Sequence, residues 1–157
     1  MKVFFLMIGK TAFPFVKDGM SNYEKRINHY IPYTRVEIPD IKGTNSMDID
    51  HIKEKEAELI LKNIKASDYL ILLDERGATY SSLKWAADIE KKMVNGINNI
   101  YFVIGGAYGF SEKVYNRANE KLSLSSMTFS HQIIRLFFLE QLYRAFTIIK
   151  GEPYHNE

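Results

Sequence analysis

The chain has no cysteine, which excludes disulfides, thiolate nucleophiles and cysteine-ligated zinc together. A reducing, cytoplasmic setting is expected. Long apolar runs are missing as well. The start, Met1-Lys2 followed by the apolar stretch from Val3 to Ile8, has a basic end like a signal peptide, but the run is short and no small-residue cleavage site follows. It reads as a first buried strand, and no membrane partner is expected. Histidine is scarce: His29, His51, His131 and His155 lie scattered, without the close pairing of a metal motif, so no metal is expected. No Gly-x-Ser-x-Gly elbow supports a serine hydrolase. Charge of one sign is weak too, since a net charge of +2 does not by itself mark a nucleic-acid binder.

What is present is an ordinary globular composition. With 157 residues, 46% of them hydrophobic and 25% charged, the chain is long enough for one α/β domain with a real core, and we expect a single domain over residues 1–157. No repeat or low-complexity segment interrupts it. Positive charge gathers at the front, where residues 1–30 hold five bases (Lys2, Lys10, Lys17, Lys25, Arg26) against two acids (Asp18, Glu24). That segment is either the best electrostatic candidate for phosphate contact or a solvated helix face.

Strand and helix signals alternate. After the first strand, Phe15 to about His29 reads as a helix with Pro14 in its first turn, and Thr34 to Ile38 as a short strand between Pro32 and Pro39. A loop over residues 40–48 leads to an exposed amphipathic helix from about Asp50, with apolar positions Ile52, Ala57, Leu59, Ile60 and Ile64 at roughly helical spacing. Tyr69-Leu70-Ile71-Leu72-Leu73 reads as a strand buried on both faces and ending at Asp74-Glu75-Arg76-Gly77. Ser81 or Ser82 can cap a helix that stops at Asn95-Gly96. Ile100 to Ile104, a short helix from Ser111 to about Ala118, a brief strand near Leu122-Ser123-Leu124 and a helix from about His131 to Ile149 complete the chain. This order predicts a mostly parallel sheet with helices on both faces. The last helix is apolar over nearly its whole circumference, so it needs two partners. One is its own sheet; the other is expected to be a second copy across a two-fold interface, unless the helix lies deep in the monomer.

Chemistry is expected at the C-terminal loops of the later strands, where open α/β sheets bind ligands. Gly105-Gly106-Ala107-Tyr108-Gly109 lacks the glycine spacing and following acid of a dinucleotide fingerprint, and the Walker lysine is absent. By itself it reads as a tight turn, or as a loop whose backbone approaches a flat ligand closely. Ser123, Ser125 and Ser126 suit loop hydrogen bonding better than nucleophilic attack. On the last helix, His131 and Arg135, and likewise Glu140 and Arg144, stand one turn apart. His131 is placed to order the preceding loop, Arg135 to bind RNA phosphate or hold a loop, and Glu140 with Arg144 to form an ion pair. The tail Gly151-Glu152-Pro153-Tyr154-His155 joins a base-stacking ring to a proton-exchanging imidazole, so it is expected to fold over a site.

Taken together, these motifs resemble a known family. Leu72-Leu73-Asp74 with Gly77, Phe102-Val103-Ile104-Gly105-Gly106 with Gly109, Leu122 to Phe129 with His131, Gln132 and Arg135, then Glu140 to Phe146 and Tyr154-His155 are similar to the bacterial large-subunit (23S) ribosomal RNA pseudouridine N3-methyltransferases, small members of the SPOUT class. The resemblance spans essentially the whole chain. It implies an α/β fold with a C-terminal trefoil knot, a homodimer, and S-adenosylmethionine bound by Leu73, Gly105, Leu124, Ser125, Ser126, Met127, Thr128 and Phe129. It further implies methyl transfer to N3 of a pseudouridine of 23S rRNA in the assembled ribosome, with His155 helping to remove the N3 proton, Tyr154 placing the base, and Arg135 or Arg144 supporting RNA.

Three positions depart from the family pattern. Ser130 stands where proline commonly precedes the histidine, Ala78 where lysine commonly follows Gly77, and Asn156-Glu157 where a basic residue is usual. The last two remove positive charge from the expected RNA side; Arg76 is the available substitute for Ala78, and the terminal basic contact has none. Two other readings fit the residues: a SPOUT methyltransferase acting on another RNA such as tRNA, and a catalytically silent RNA- or ribosome-binding module.

Overall fold

A computed structural model describes residues 1–156. All five strands are parallel and form one sheet in the order β2-β1-β4-β3-β5: β1 is Lys2–Ile8, β2 Tyr33–Ile38, β3 Tyr69–Ala78, β4 Asn99–Ile104 and β5 Glu120–Leu122. The helices are α1 (Pro14–Ile27), α2 (Ile49–Lys62), α3 (Ser82–Val94), α4 (Glu112–Arg117) and α5 (Ile133–Ile149), with a short 3-10 turn at Thr44–Ser46.

Alternation along the central strands creates two cores. Val3, Phe5 and Met7 of β1 and Ile100, Phe102 and Ile104 of β4 point to the face covered by α1, α3 and α5. Leu6 and Ile8, with Tyr101 and Val103, point to the face of α2 and α4. Side chains alternate across a strand, so a strand apolar at every position has to be covered on both sides. The first core is centred on aromatic rings: Phe138 of α5 lies 4.3 Å from Phe5 and 4.9 Å from Phe102 between ring centroids. Steps in one direction along the sheet (β1 to β2, β3 to β4) pass over the first face, and steps in the other (β2 to β3, β4 to β5) over the second. All crossovers therefore share one hand, as parallel connections do.

Local signals start and stop the elements. Pro14 occupies the first turn of α1, and the Ser81 side chain accepts the Lys84 amide at the start of α3. Two boundaries differ from expectation. β5 ends at Leu122 rather than Leu124, and β3 runs on to Ala78. Both Leu73 and Ala78 pair with Leu122, so residues 74–77 bulge out of the ladder between them. Gly77 permits this, because a β-carbon there would stand 2.6 Å from backbone atoms of Lys121 and Leu122. The last helix begins at Ile133. It buries Phe138, Leu139, Leu142, Ala145 and Phe146, while Phe137 remains 41% exposed. No helix is long and apolar enough to cross a membrane among the described residues.

Candidate active site

A cleft of about 520 Å³ opens at the C-terminal ends of β3, β4 and β5, between strands whose following helices leave toward opposite faces of the sheet, the usual ligand position in such folds. Three loops converge there. Leu73 comes from β3, Gly105 and its turn follow β4, and Leu124, Ser125, Met127, Thr128 and Phe129 follow β5. Ser126 sits in the same loop but is not part of the lining. The β5–α5 loop is shaped by its own serines, as expected of hydrogen-bonders: Ser123 Oγ donates to Ser125 O (3.0 Å) and Ser125 Oγ accepts the Met127 amide (2.9 Å). Ser130, at the position of the missing proline, accepts the Ile133 amide through Oγ at 3.2 Å and the Ile134 amide through its carbonyl at 3.1 Å. Its hydroxyl thus meets one of the unpaired donors that open α5.

Polar groups gather on one wall. Asp74 accepts the Tyr115 hydroxyl and the Arg76 amide (2.8 Å), and the Arg76 guanidinium reaches the Tyr115 oxygen at 2.5 Å. Burial alone raises the Asp74 carboxyl, but Tyr115 and Arg76 outweigh it and hold the group below its ordinary value. Asp74 is therefore a fixed anion at neutral pH, and the Arg76 side chain stays 70% exposed at the rim. His131 faces the Gly105 backbone, which favours its charged form, yet desolvation and the nearby Arg135 outweigh this and push its imidazole below the ordinary 6.5. It is neutral at pH 7 and orders the glycine turn.

Arg135 does something other than offer charge to RNA. It is 1% exposed, and its guanidinium donates to the carbonyls of Ile8 (2.8 Å), Gly9 (3.0 Å) and His131 (3.1 Å) and to Thr11 Oγ1 (3.0 Å). Of the two roles open in the sequence, the structure assigns it the second: it holds the β1–α1 loop to the start of α5. Gln132 adds to the same junction, accepting the Ala12 amide and donating to the Lys10 carbonyl.

The tail folds back on α5. Tyr154 donates to Glu140 Oε1 (3.2 Å) and lies 3.4 Å from the Tyr23 hydroxyl, with Arg144 4.8 Å over its ring. Glu140 and Arg144 form the expected ion pair (2.5 Å), and Arg144 Nη1 stands 3.3 Å from His155 Nδ1. Burial, then Tyr23 and Glu140, raise the Tyr154 hydroxyl far above its ordinary value, so Tyr154 is a donor and not a base at neutral pH. Neither Tyr154 nor His155 lines the cleft of its own chain. Glu157, the last residue of the departing terminus, lies outside the described residues.

Sequence reasoning named Asp74 only as a motif residue at a strand end, and passed over Tyr115 and one residue beneath the cleft, Glu56. The signal for Glu56 was available: at helical spacing it shares a stripe with Ile52 and Ile60, and all three are buried. No cluster of three or more potential metal ligands occurs among the described residues.

A parallel α/β sheet with a small-molecule cleft walled by three C-terminal loops narrows the class, and comparison with known proteins defines it. The family model described as "Predicted SPOUT methyltransferase" matches residues 1–155, and the chain belongs to this family. It is 50% identical over 157 residues to the ribosomal RNA large subunit methyltransferase H of Parabacteroides distasonis, covering all of both chains. To the protein of the same name from Cytophaga hutchinsonii it is 51% identical over 156 residues, covering 99% of this chain and 100% of that one. Among solved structures, a probable methylase family protein from Haemophilus influenzae Rd KW20 matches with a TM-score of 0.53 at 10% identity, over 95% of this chain and 66% of that one. That likeness concerns the fold alone.

Proposed function

We propose that this chain is an S-adenosylmethionine-dependent methyltransferase that methylates N3 of a pseudouridine in 23S rRNA of the assembled large subunit, and that it acts as a cytoplasmic homodimer with the family's C-terminal knot. One observation carries the reading: Leu73, Gly105 and the Leu124–Phe129 loop, far apart in sequence, meet at one cleft in a family member matched end to end by rRNA methyltransferases. The cleft volume suits a nucleoside-sized ligand. Its walls suit the donor's parts, with apolar Leu73, Ile104, Leu122 and Ile134 for a flat ring and loop backbone for its polar edges.

The bound donor supplies a sulfonium methyl with its own leaving group, which leaves the protein two tasks, alignment and removal of the N3 proton. Alignment falls to the three loops, fixed by His131 at Gly105 and by Arg135 at the β1–α1 junction. Proton removal is assigned to His155, because Tyr154 keeps its proton and is suited to hold the base. Since the tail lies outside its own cleft, it is assigned to the cleft of the second subunit, where Arg144 travels with it as an RNA contact.

Mass spectrometry of rRNA tests the proposal after ribosomes lacking the mark are incubated with protein and S-adenosylmethionine. A 14 Da gain at a single pseudouridine is the expected result, a methyl replacing a proton; no gain there refutes the activity. Calorimetry with S-adenosylmethionine separates a methyltransferase from a silent binding module, which would give no heat of binding.

A further inference from the structure

The glycine turn over the cleft is held from below by a buried acid of a remote helix. Glu56, in the middle of α2, is 8% exposed. Its carboxylate reaches Gly106 so closely that a β-carbon there would stand 2.3 Å from Oε1 and 2.6 Å from Oε2. The Gly106 backbone faces this carboxylate and lowers its carboxyl against the rise that burial causes. One residue earlier, a β-carbon on Gly105 would meet the Phe110 ring at 3.0 Å. The turn is closed by the Gly109 amide on the Gly106 carbonyl (3.2 Å). The two glycines are thus hemmed in, one by an aromatic ring and the other by a carboxylate, and both line the cleft.

A buried carboxylate is a costly way to fill space. Its near charged neighbour is Asp40, of like sign, and both burial and Asp40 push the Glu56 carboxyl toward its neutral form. An apolar side chain would occupy the same volume without that desolvation cost. What the acid adds is an acceptor for an amide that has left the β4 ladder, and such amides need partners.

We propose that Glu56 is a positioning residue for the methyl donor: by fixing the Gly106 amide from the α2 side, it sets the orientation in which the turn's backbone faces the ligand. It lies outside the cleft lining and acts through the loop. The inference rests on the reading of the cleft as the donor site.

Four variants, E56A, E56Q, G106A and E56A/G106A, test it by calorimetry with S-adenosylmethionine and by hydrogen exchange of the segment 104–110. E56A is expected to weaken donor binding by about tenfold, the equivalent of one buried hydrogen bond, and to speed exchange in 104–110 while leaving α3 unchanged. E56Q keeps an acceptor oxygen and is expected to stay within about threefold of the parent. G106A is expected to lose binding because its β-carbon displaces the carboxylate, and E56A/G106A to recover part of that loss by removing the clash. Unchanged exchange in E56A, or E56Q as damaging as E56A, overturns the proposal. Should E56A fail to fold, exchange in G106A decides, and a parent-like rate at 104–110 overturns it. If the parent protein itself binds no S-adenosylmethionine, the donor reading falls, while the exchange result still judges the role of Glu56.

Discussion

Arg135 shows what a buried cation does when every partner is a carbonyl or a hydroxyl. Its four hydrogen bonds join the end of β1, the following loop and the first turn of α5, and replacing it by methionine leaves the oxygens of Ile8, Gly9 and His131 without donors. R135M is expected to destabilise the fold by about 3 kcal/mol, read as a lower urea midpoint, a loss that R135K recovers in part. An arginine serving only RNA would leave the midpoint unchanged. His131 carries the pH response of the same junction. Its imidazole is depressed in the folded state below the ordinary 6.5, so as pH falls the unfolded chain takes up the proton first. Stability is unaffected well above 6.5 and declines through the window from 6.5 down to the depressed value. Acidifying from about pH 7.5 to about pH 5 should therefore cost the parent more stability than H131Q, measured as the difference in urea midpoints at each pH.

At the scale of elements, the β3–β5 contact is the narrowest tolerance in the sheet. β3 pairs twice with Leu122 across the bulge at residues 74–77, and a β-carbon on Gly77 would stand 2.6 Å from that backbone. G77A has no flexible side chain to push aside. It is expected to cost about 2 kcal/mol or more and to weaken donor binding, because Leu73 and Asp74 shift with the bulge; calorimetric melting and donor titration would report the two losses together. Most elements were legible in the chain. Apolar runs at Val3 to Ile8 and Ile100 to Ile104 have the length of strands covered on both sides, and proline and serine marked helix starts. The bulge was not legible, because it is a relation between Gly77 and a strand some forty residues later. Nor was the length of β3, since Asp74-Glu75-Arg76-Gly77 has the composition of a loop and pairs only through that distant partner.

At the scale of the whole molecule, the apolar circumference of α5 is only partly covered by its own chain. Phe137 (41% exposed) stacks edge-on with Phe129 (37%), and Phe13 and Phe15 form a second exposed ring pair at the start of α1. Exposed aromatic surface of this kind suits the proposed dimer interface. Light scattering is expected to find the parent at twice the chain mass and F137E at the monomer mass, with methylation lost in F137E if the tail serves the other subunit. A monomeric parent refutes the dimer. The sequence by itself determined the order of strands and helices along the chain, the absence of thiol chemistry and, through the family resemblance of its motifs, the three segments that form the cleft, because periodicity, punctuation and motif residues are local. Only the tertiary structure decided that Arg135 is a buried strut, that the tail lies on α5 away from its own cleft, and that Glu56 sits beneath the glycine turn. Each of these depends on which distant backbone a side chain meets, and a buried acid or arginine has the same letter as a solvated one.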